Sequence, residues 1–282
     1  MKKILCVGDW GGESTDYIKN FLMNENFDEY FLLGDNFYPS GVYSLEDPQW
    51  EKKFHSFFPN EKKKLVCLGN HDYLGNIFAQ FEKTFQKNNG NWICPYFFHD
   101  DYDEKYSLHK IFIDSQIFAV EITSMLLLAC NISSKKQFEY FNIVQSLQEK
   151  QLKWLENTLQ SSNAKWKIVC GHYPLLSNGP HILSKEYEQK IKPLLEKYNV
   201  DFYINGHEHN SQLLKENKIH YIVSGGIHSD GSYRIHNLSN PTLFHSIKQG
   251  VFSLEIEKGK ITIYFHDILS NKKNLCYIKI KV

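Results

Sequence analysis

At five points along this chain an apolar run stops at a glycine, and a side chain able to bind a metal follows within the next two residues. These points are Gly8-Asp9-Trp10, Gly34-Asp35-Asn36, Gly69-Asn70-His71-Asp72, Gly171-His172 and Gly206-His207-Glu208-His209. Any one Gly-Asp or Gly-His is ordinarily a turn, and Asn36 or Asn70 alone an ordinary turn or cap residue. His172 or His207 alone would ordinarily be a buried histidine with its hydrogen bonds met. The set is far more specific than its members. Glycine permits a sharp turn and close backbone approach, and the carboxyl ends of strands are where α/β sheets place ligands. If the five ends converge, Asp9, Asp35, Asn70, His172, His207 and His209 meet in one pocket. Carboxylates, an amide oxygen and imidazoles suit first-row metals, and a carboxylate can bridge two ions about 3.5–4 Å apart, as in two-metal hydrolases. His207 and His209 are too close in sequence for successive helical turns, but in a strand-end loop they can reach different metals.

The elements that must position these side chains follow from the apolar runs Lys3–Gly8, Tyr30–Gly34, Leu65–Gly69, Lys110–Ile113, Phe118–Thr123, Trp166–Gly171, Phe202–Gly206 and His220–Ser224. Near-continuous hydrophobicity predicts strands covered on both faces. Helical stripes lie between them: Tyr17, Ile18, Phe21 and Leu22; Leu152, Leu155 and Leu159; and Tyr187, Ile191, Leu195 and Tyr198, where Pro193 is expected to kink or shorten the helix. Alternating strand and helix predicts an α/β fold. Gly250–Glu257 and Lys260–His266 flank Lys258-Gly259 as an antiparallel hairpin, so a mixed sheet or two packed sheets is expected. No repeat, low-complexity tract or linker divides the 282 residues, and one domain over 1–282 is expected.

Composition narrows the function classes. Hydrophobic residues at 42% and charged residues at 23% exclude a disordered or fibrous chain. The 32 Lys and Arg balance 32 Asp and Glu, so no global charge favours nucleic acid or an acidic membrane. The longest fully apolar run, Met125 to Cys130, has six residues, against about 20 for a membrane span. Ile4 to Val7 is too short for the roughly 7–15 apolar residues of a secretory signal. A soluble, cytoplasmic chain with neither nucleic-acid nor membrane partners is therefore expected, its oligomeric state unspecified. Six cysteines show no CxxC spacing; Cys6, Cys67 and Cys170 read as buried thiols, while Cys94, Cys130 and Cys276 could pair. The sequons at Asn131 and Asn237 matter only in an exported chain. GxSxG, HExxH and GxxxxGK[ST] are absent.

The series GD, GDN, GNHD, GH, GHEH resembles the signature of the calcineurin-like metallophosphoesterases. VGDWGG, LGDNFYPSGV, LGNHDYLGN, GHYPLLS and INGHEH are similar to its tartrate-resistant, purple acid phosphatase branch, and the likeness runs from about Ile4 to near His266, taking in FIDS at 112–115 and SGG at 224–226. The resemblance implies an α/β four-layer metallophosphoesterase sandwich, two mixed β-sheets flanked by helices, with a dinuclear metal centre at its edge. It implies Asp9, Asp35, Tyr38 and His209 as ligands of Fe(III). Asp35 would bridge to a second ion, Fe(II), Zn(II) or Mn(II), completed by Asn70, His172 and His207. His71 would face the substrate phosphate and leaving group, with Asp72 as its supporting partner. The implied activity is an acid phosphatase acting on small phosphomonoesters or phosphoproteins, by in-line attack of hydroxide with inversion at phosphorus.

Tyr38, three residues after Asp35, separates the purple branch from its relatives. An added tyrosinate lets a trivalent–divalent pair keep the modest positive charge that a divalent pair has without it, and a trivalent ion acidifies bound water further. Without Tyr38 as ligand, a Mn- or Zn-dependent phosphodiesterase or nucleotide pyrophosphatase is the alternative. A non-catalytic scaffold is the other, and degenerate ligand positions are its usual mark. Family members usually enter the secretory route, of which this N-terminus gives no sign. Asn178 stands where a substrate-side histidine is often found, and His181, beyond the Gly179-Pro180 turn, is expected to replace it. Loops at Asp100–Ser107 and Gly225–Tyr233, with Tyr102, Tyr106, His228 and Asp230, either rim the pocket or are plain surface.

Overall fold

The computed structural model describes residues 1–13, 16–24, 26–119, 134–181, 184–229, 231 and 241–281. Met125 to Cys130, the sequons at Asn131 and Asn237, and Asp230 and Tyr233 lie outside them. Two seven-stranded sheets form. The first contains β1 (Lys2–Val7), β2 (Glu29–Leu33), β3 (Lys63–Cys67), β4 (Trp92–Ile93), β12 (Gly250–Glu257), β13 (Lys260–Asp267) and β14 (Lys272–Ile280), in the order β14-β13-β12-β1-β2-β3-β4. The second contains β5 (His99–Asp103), β6 (Leu108–Phe112), β7 (Trp166–Cys170), β8 (Phe202–Asn205), β9 (Ser211–Glu216), β10 (Ile219–Ser224) and β11 (Thr242–Ser246), in the order β11-β9-β10-β8-β7-β6-β5. Strands β1, β2 and β3 are mutually parallel, as are β6, β7, β8 and β10.

The period of two along each strand produces the four layers. Ile4, Cys6, Phe31, Leu33, Leu65 and Cys67 of the first sheet pack against Phe112, Ile168, Cys170, Phe202, Ile204 and Ile222 of the second. Their neighbours Leu5, Val7, Tyr30, Leu32 and Val66 face outward onto Ile18 and Leu22 of α1 (Asp16–Asn24) and the aromatic cluster of Trp50, Phe54 and Phe58. On the far side, Ile111, Val169, Tyr203, Tyr221 and Val223 meet Leu155 and Leu159 of α3 (Ser134–Ser161), and Tyr187, Ile191 and Leu195 of α4 (Lys185–Lys197). A short α2 (Ile77–Lys83) follows β3, with Asn76 accepting from the Phe78 N–H at its cap. The expected hairpin is present, with Glu257 opposite Lys260 and Gly259 at φ +83°.

Three local expectations change, and the open question of whether Cys94 and Cys276 pair is answered. Phe118–Thr123 is not a strand where it is described: Gln116–Phe118 is a 3₁₀ turn, because Asp114 Oδ1 accepts the Gln116 N–H at 2.8 Å and that of Ile117 at 3.4 Å and bends the chain away from the sheet. Pro193 does not shorten α4, which Ser184 caps and the buried Tyr187, Ile191 and Leu195 hold in place. Asp100–Ser107 is mostly the edge strand β5 and its turn into β6. Cys94 and Cys276 are both free thiols, with Cys94 buried.

Phe112 meets Phe31 edge-on across the two sheets at 5.2 Å and stacks on His99 at 5.0 Å. Phe112→Ala should cost about 3–5 kcal/mol in urea denaturation. A loss below about 1 kcal/mol would mean that the sheets do not depend on this layer.

Candidate metal centre

All five glycine motifs lie at carboxyl ends of parallel strands, after β1, β2, β3, β7 and β8. The sheets come together at that edge. Gly8 N–H donates to Ser224 O at 2.8 Å, Ser224 Oγ donates to Cys6 O at 2.7 Å, and a Cβ on Gly8 would lie 2.6 Å from Gly206 Cα. No other residue allows this approach. Asp9 (φ +58°), Asp35 (φ +52°) and His207 (φ +67°) are in the left-handed region, so each strand turns sharply at the residue it presents.

The side chains fall into two groups that share Asp35. In the first, Tyr38 Oη lies 2.8 Å from Asp35 Oδ2, 3.3 Å from Asp9 Oδ1 and 3.3 Å from His209 Nε2. In the second, His172 Nε2 lies 3.4 Å from Asp35 Oδ1, 3.1 Å from Asn70 Oδ1 and 3.3 Å from His207 Nδ1. Donors about 2.1 Å from one ion sit about 3.0–3.4 Å apart, so both groups have the spacing of a filled coordination sphere.

The electrostatics favour a cation. His172 Nδ1–H donates to Leu33 O at 2.8 Å, which leaves Nε2 as a lone pair facing oxygen lone pairs. Burial opposes charge on His172, yet the Asp35 and Asp9 carboxylates outweigh it and raise its pKa. Asp9 itself is buried, but the hydrogen bond to His209, the charges of His172 and His209 and the His207 N–H hold it below the usual carboxylate range. Burial and the same two carboxylates push the Tyr38 phenol far up. It can ionise only against a strong positive charge. The donor set therefore fits first-row metal ions: Asp9, Asp35, Tyr38 and His209 would hold one, and Asp35, Asn70, His172 and His207 would hold a second.

Residues 2–211 match the calcineurin-like phosphoesterase family model. Purple acid phosphatase 17 of Arabidopsis thaliana is 30% identical over 284 residues, covering 94% of this chain and 80% of that protein. The chain belongs to this family. Tartrate-resistant acid phosphatase type 5 of Mus musculus is 30% identical over 242 residues, 79% of this chain and 71% of its own. Among solved structures, that described as "GAP50 the anchor in the inner membrane complex of Plasmodium" matches with a TM-score of 0.77 at 25% identity, covering 100% of this chain and 89% of that one.

Within this phosphoesterase the remaining site residues divide by exposure. His71 is part-exposed, lies against Tyr38 with ring centres 4.2 Å apart and planes tilted at 41°, and donates from Nδ1 to Pro39 O at 2.6 Å. Asp72 is not its partner, which corrects the expectation for that residue. Asp72 is fully buried and accepts from Gly69 N (2.8 Å), Asn36 N (3.1 Å), Asn36 Nδ2 (3.0 Å) and Gln80 Nε2 (3.1 Å), so it joins the loops after β2 and β3 and touches no substrate. Burial, then the Asp35 charge, pushes its carboxyl up to about 7. His181 lies with its ring 4.5 Å from that of His207, whereas Asn178 is buried and turned to Thr242 Oγ1 at 2.9 Å.

Of the proposed rim, Tyr102 and Tyr106 lie at the opposite end of the sandwich. There Lys2, at the start of β1, pairs with Asp103 at 2.6 Å, and Lys110 with the buried Glu29 at 2.8 Å. His228 is near the centre but spends Nε2 on Trp10 O at 3.0 Å. Among the described residues no helix is long and apolar enough to cross a membrane. Sequence reasoning gave no role to Ser115 of FIDS, whose Oγ accepts from His172 N (3.0 Å) and Tyr173 N (2.8 Å) and seats the loop after β7. It also missed Trp10, whose Nε1–H holds Asn36 Oδ1 at 3.0 Å. Their only signal was proximity to the motifs.

Asp114, beside Ser115, is buried, and burial pushes its carboxyl up to about 6 against hydrogen bonds from Tyr73 and the Gln116 and Ile117 N–H groups. The folded chain then keeps a proton that the unfolded chain releases near pH 4. Its contribution is fully favourable below pH 4 and is lost as the pH rises through 6, by about 3 kcal/mol in all. The stability of Asp114→Asn should therefore fall less between pH 4 and pH 7 than that of the wild type in urea denaturation. Equal slopes would remove Asp114 as the titrating group.

Proposed function

We propose that this chain is an acid phosphatase that hydrolyses phosphomonoesters, small or on proteins, with a dinuclear Fe(III)–M(II) centre in which M is Fe(II), Zn(II) or Mn(II). One observation carries the reading: two four-donor groups share Asp35, and one of them includes Tyr38 within 2.8 Å of the shared carboxylate. A metal pair bound there supplies Lewis-acid charge to phosphoryl oxygens and acidifies water. The protein's own part is positioning and proton handling. His71, with Nδ1 committed to Pro39 O, has Nε2 left to meet the ester oxygen and to give it a proton as it leaves. His71 lies against Tyr38 and His181 against His207, so the two histidines flank opposite halves of the centre and can hold a phosphate between them. The ligand carboxylates Asp9 and Asp35 are buried, while His71, His181 and His209 keep exposed faces, so substrate approaches from the histidine side.

The likeness to GAP50 favours a second reading, a non-catalytic anchor. The retained donor set argues for the enzyme, since an anchor has no use for converging lone pairs. One set of measurements separates these readings and the Mn/Zn phosphoesterase. The oxidised, purified protein should show a violet tyrosinate-to-iron band, and Tyr38→Phe should abolish it and lower kcat/KM on phenyl phosphate at acid pH by about tenfold or more. A colourless protein with two metals per chain and neutral-pH turnover would replace the iron assignment by the Mn/Zn phosphoesterase. Two bound metals with no turnover on any ester would favour the anchor.

A further inference from the structure

Lys53 lies on the short helix Trp50–His55, whose buried Trp50 and Phe54 pack against Phe37 at 4.8 Å and Trp10 at 6.4 Å. Those two aromatics are the sequence neighbours of Tyr38 and Asp9. The half-buried Lys53 ammonium donates to Gly11 O and, at 3.3 Å, to Tyr38 O. Gly11 in turn brackets the ligand segment. Its N–H donates to Asp35 O at 3.2 Å, and its carbonyl accepts from the Tyr38 N–H at 3.2 Å. Lys53 thus closes a junction between the loop after β1 and the segment from Asp35 to Tyr38. An ammonium is a compact group with three donors, so a single Nζ can hold both carbonyls. Burial pushes it below the usual lysine range against the pull of Glu13, and the two carbonyls stand in for the water it has lost. The Tyr38 ring turns about two torsions only, so the place of its oxygen follows the place of its backbone.

We propose that Lys53 is a positioning residue that acts through Tyr38, pinning its backbone so that the phenol oxygen stays in the donor group with Asp9, Asp35 and His209. The proposal rests on the reading of Tyr38 as a metal ligand, but not on turnover.

The test compares wild type, Lys53→Met, Tyr38→Phe and the double variant, each loaded with metal. Metal retained against EDTA is read by elemental analysis, and the tyrosinate-to-iron band by visible absorption. Lys53→Met keeps the aliphatic stem and removes the donors. It should weaken metal binding about tenfold and lower the band per iron. Adding Lys53→Met to Tyr38→Phe should cause no further loss of metal. Unchanged affinity and band in Lys53→Met, where Tyr38→Phe loses both, would overturn the inference and leave the Tyr38 assignment standing. Losses that multiply in the double variant would also overturn it, because Lys53 would then support another ligand. If Tyr38→Phe itself leaves metal affinity unchanged, the ligand reading of Tyr38 falls and the inference with it. In a colourless manganese or zinc protein the affinity comparison alone decides. If Lys53→Met does not fold, Lys53→Gln, whose amide is too short to hold both carbonyls, carries the same comparison. A wild type that hydrolyses no ester yet shows the expected pattern keeps the positioning role while the phosphatase reading falls.

Discussion

Asp35 gives one oxygen to each half of the centre, and the rest of the architecture serves to keep that arrangement possible. Two groups of lone pairs converge on it from strands of different sheets. Asp9, Asp35, Tyr38 and Asn70 come from the first sheet, and His172, His207 and His209 from the second. Lone pairs 3–3.5 Å apart repel unless a positive charge lies among them. The raised pKa of His172 and His209 and the depressed one of Asp9 express the same demand for positive charge. The fold must therefore hold its two sheets at a fixed separation against local repulsion.

It does so with small residues and buried polar bonds. Gly8 and Gly206 let the two backbones approach, and Ser224 ties β10 to β1 through its carbonyl and its hydroxyl. Asp72 collects N–H groups from the loops after β2 and β3, and Trp10 adds the loop after β1 through Asn36. At the far end, Lys110 and Glu29 form a buried ion pair between the sheets. Polar groups thus close both ends of a layer whose middle is Ile, Leu, Phe and Cys. Removing one partner of such a pair leaves a buried charge unmet, so these contacts fix register more than they add stability.

The mouth of the site is built differently. His71 and His181 each commit one ring nitrogen to a fixed acceptor, a backbone carbonyl for the first and the Glu208 carboxylate for the second, and each keeps an exposed face. Orientation comes from the protein, and access comes from exposure. The buried carboxylates below them are closed to solvent, which strengthens every electrostatic contact a phosphate would make there.

Much of this was legible in the chain itself. The apolar runs located β1, β2, β3, β7, β8 and β10 because strands buried on both faces must be hydrophobic throughout, and the glycine at each end marked where the backbone turns to present a ligand. The hairpin at Lys258-Gly259 followed from its turn residues. What the chain did not disclose were relations between distant segments. Asp72 is adjacent to His71 in sequence, yet its partners are Asn36, Gly69 and Gln80, because burial demands every N–H donor within reach. Tyr102 and Tyr106 were candidates for the pocket rim, beside a plain surface reading, only while β5 was taken for a loop. Asp114 bent an apolar run into a 3₁₀ turn by capturing its amides. Residue types and spacing alone determine which atoms can bind metal and which strands carry them, since both depend on local chemistry and period. Which oxygen of Asp35 faces which group, and which carboxylate meets His181, was decided only in the folded chain, because those contacts join residues far apart in sequence.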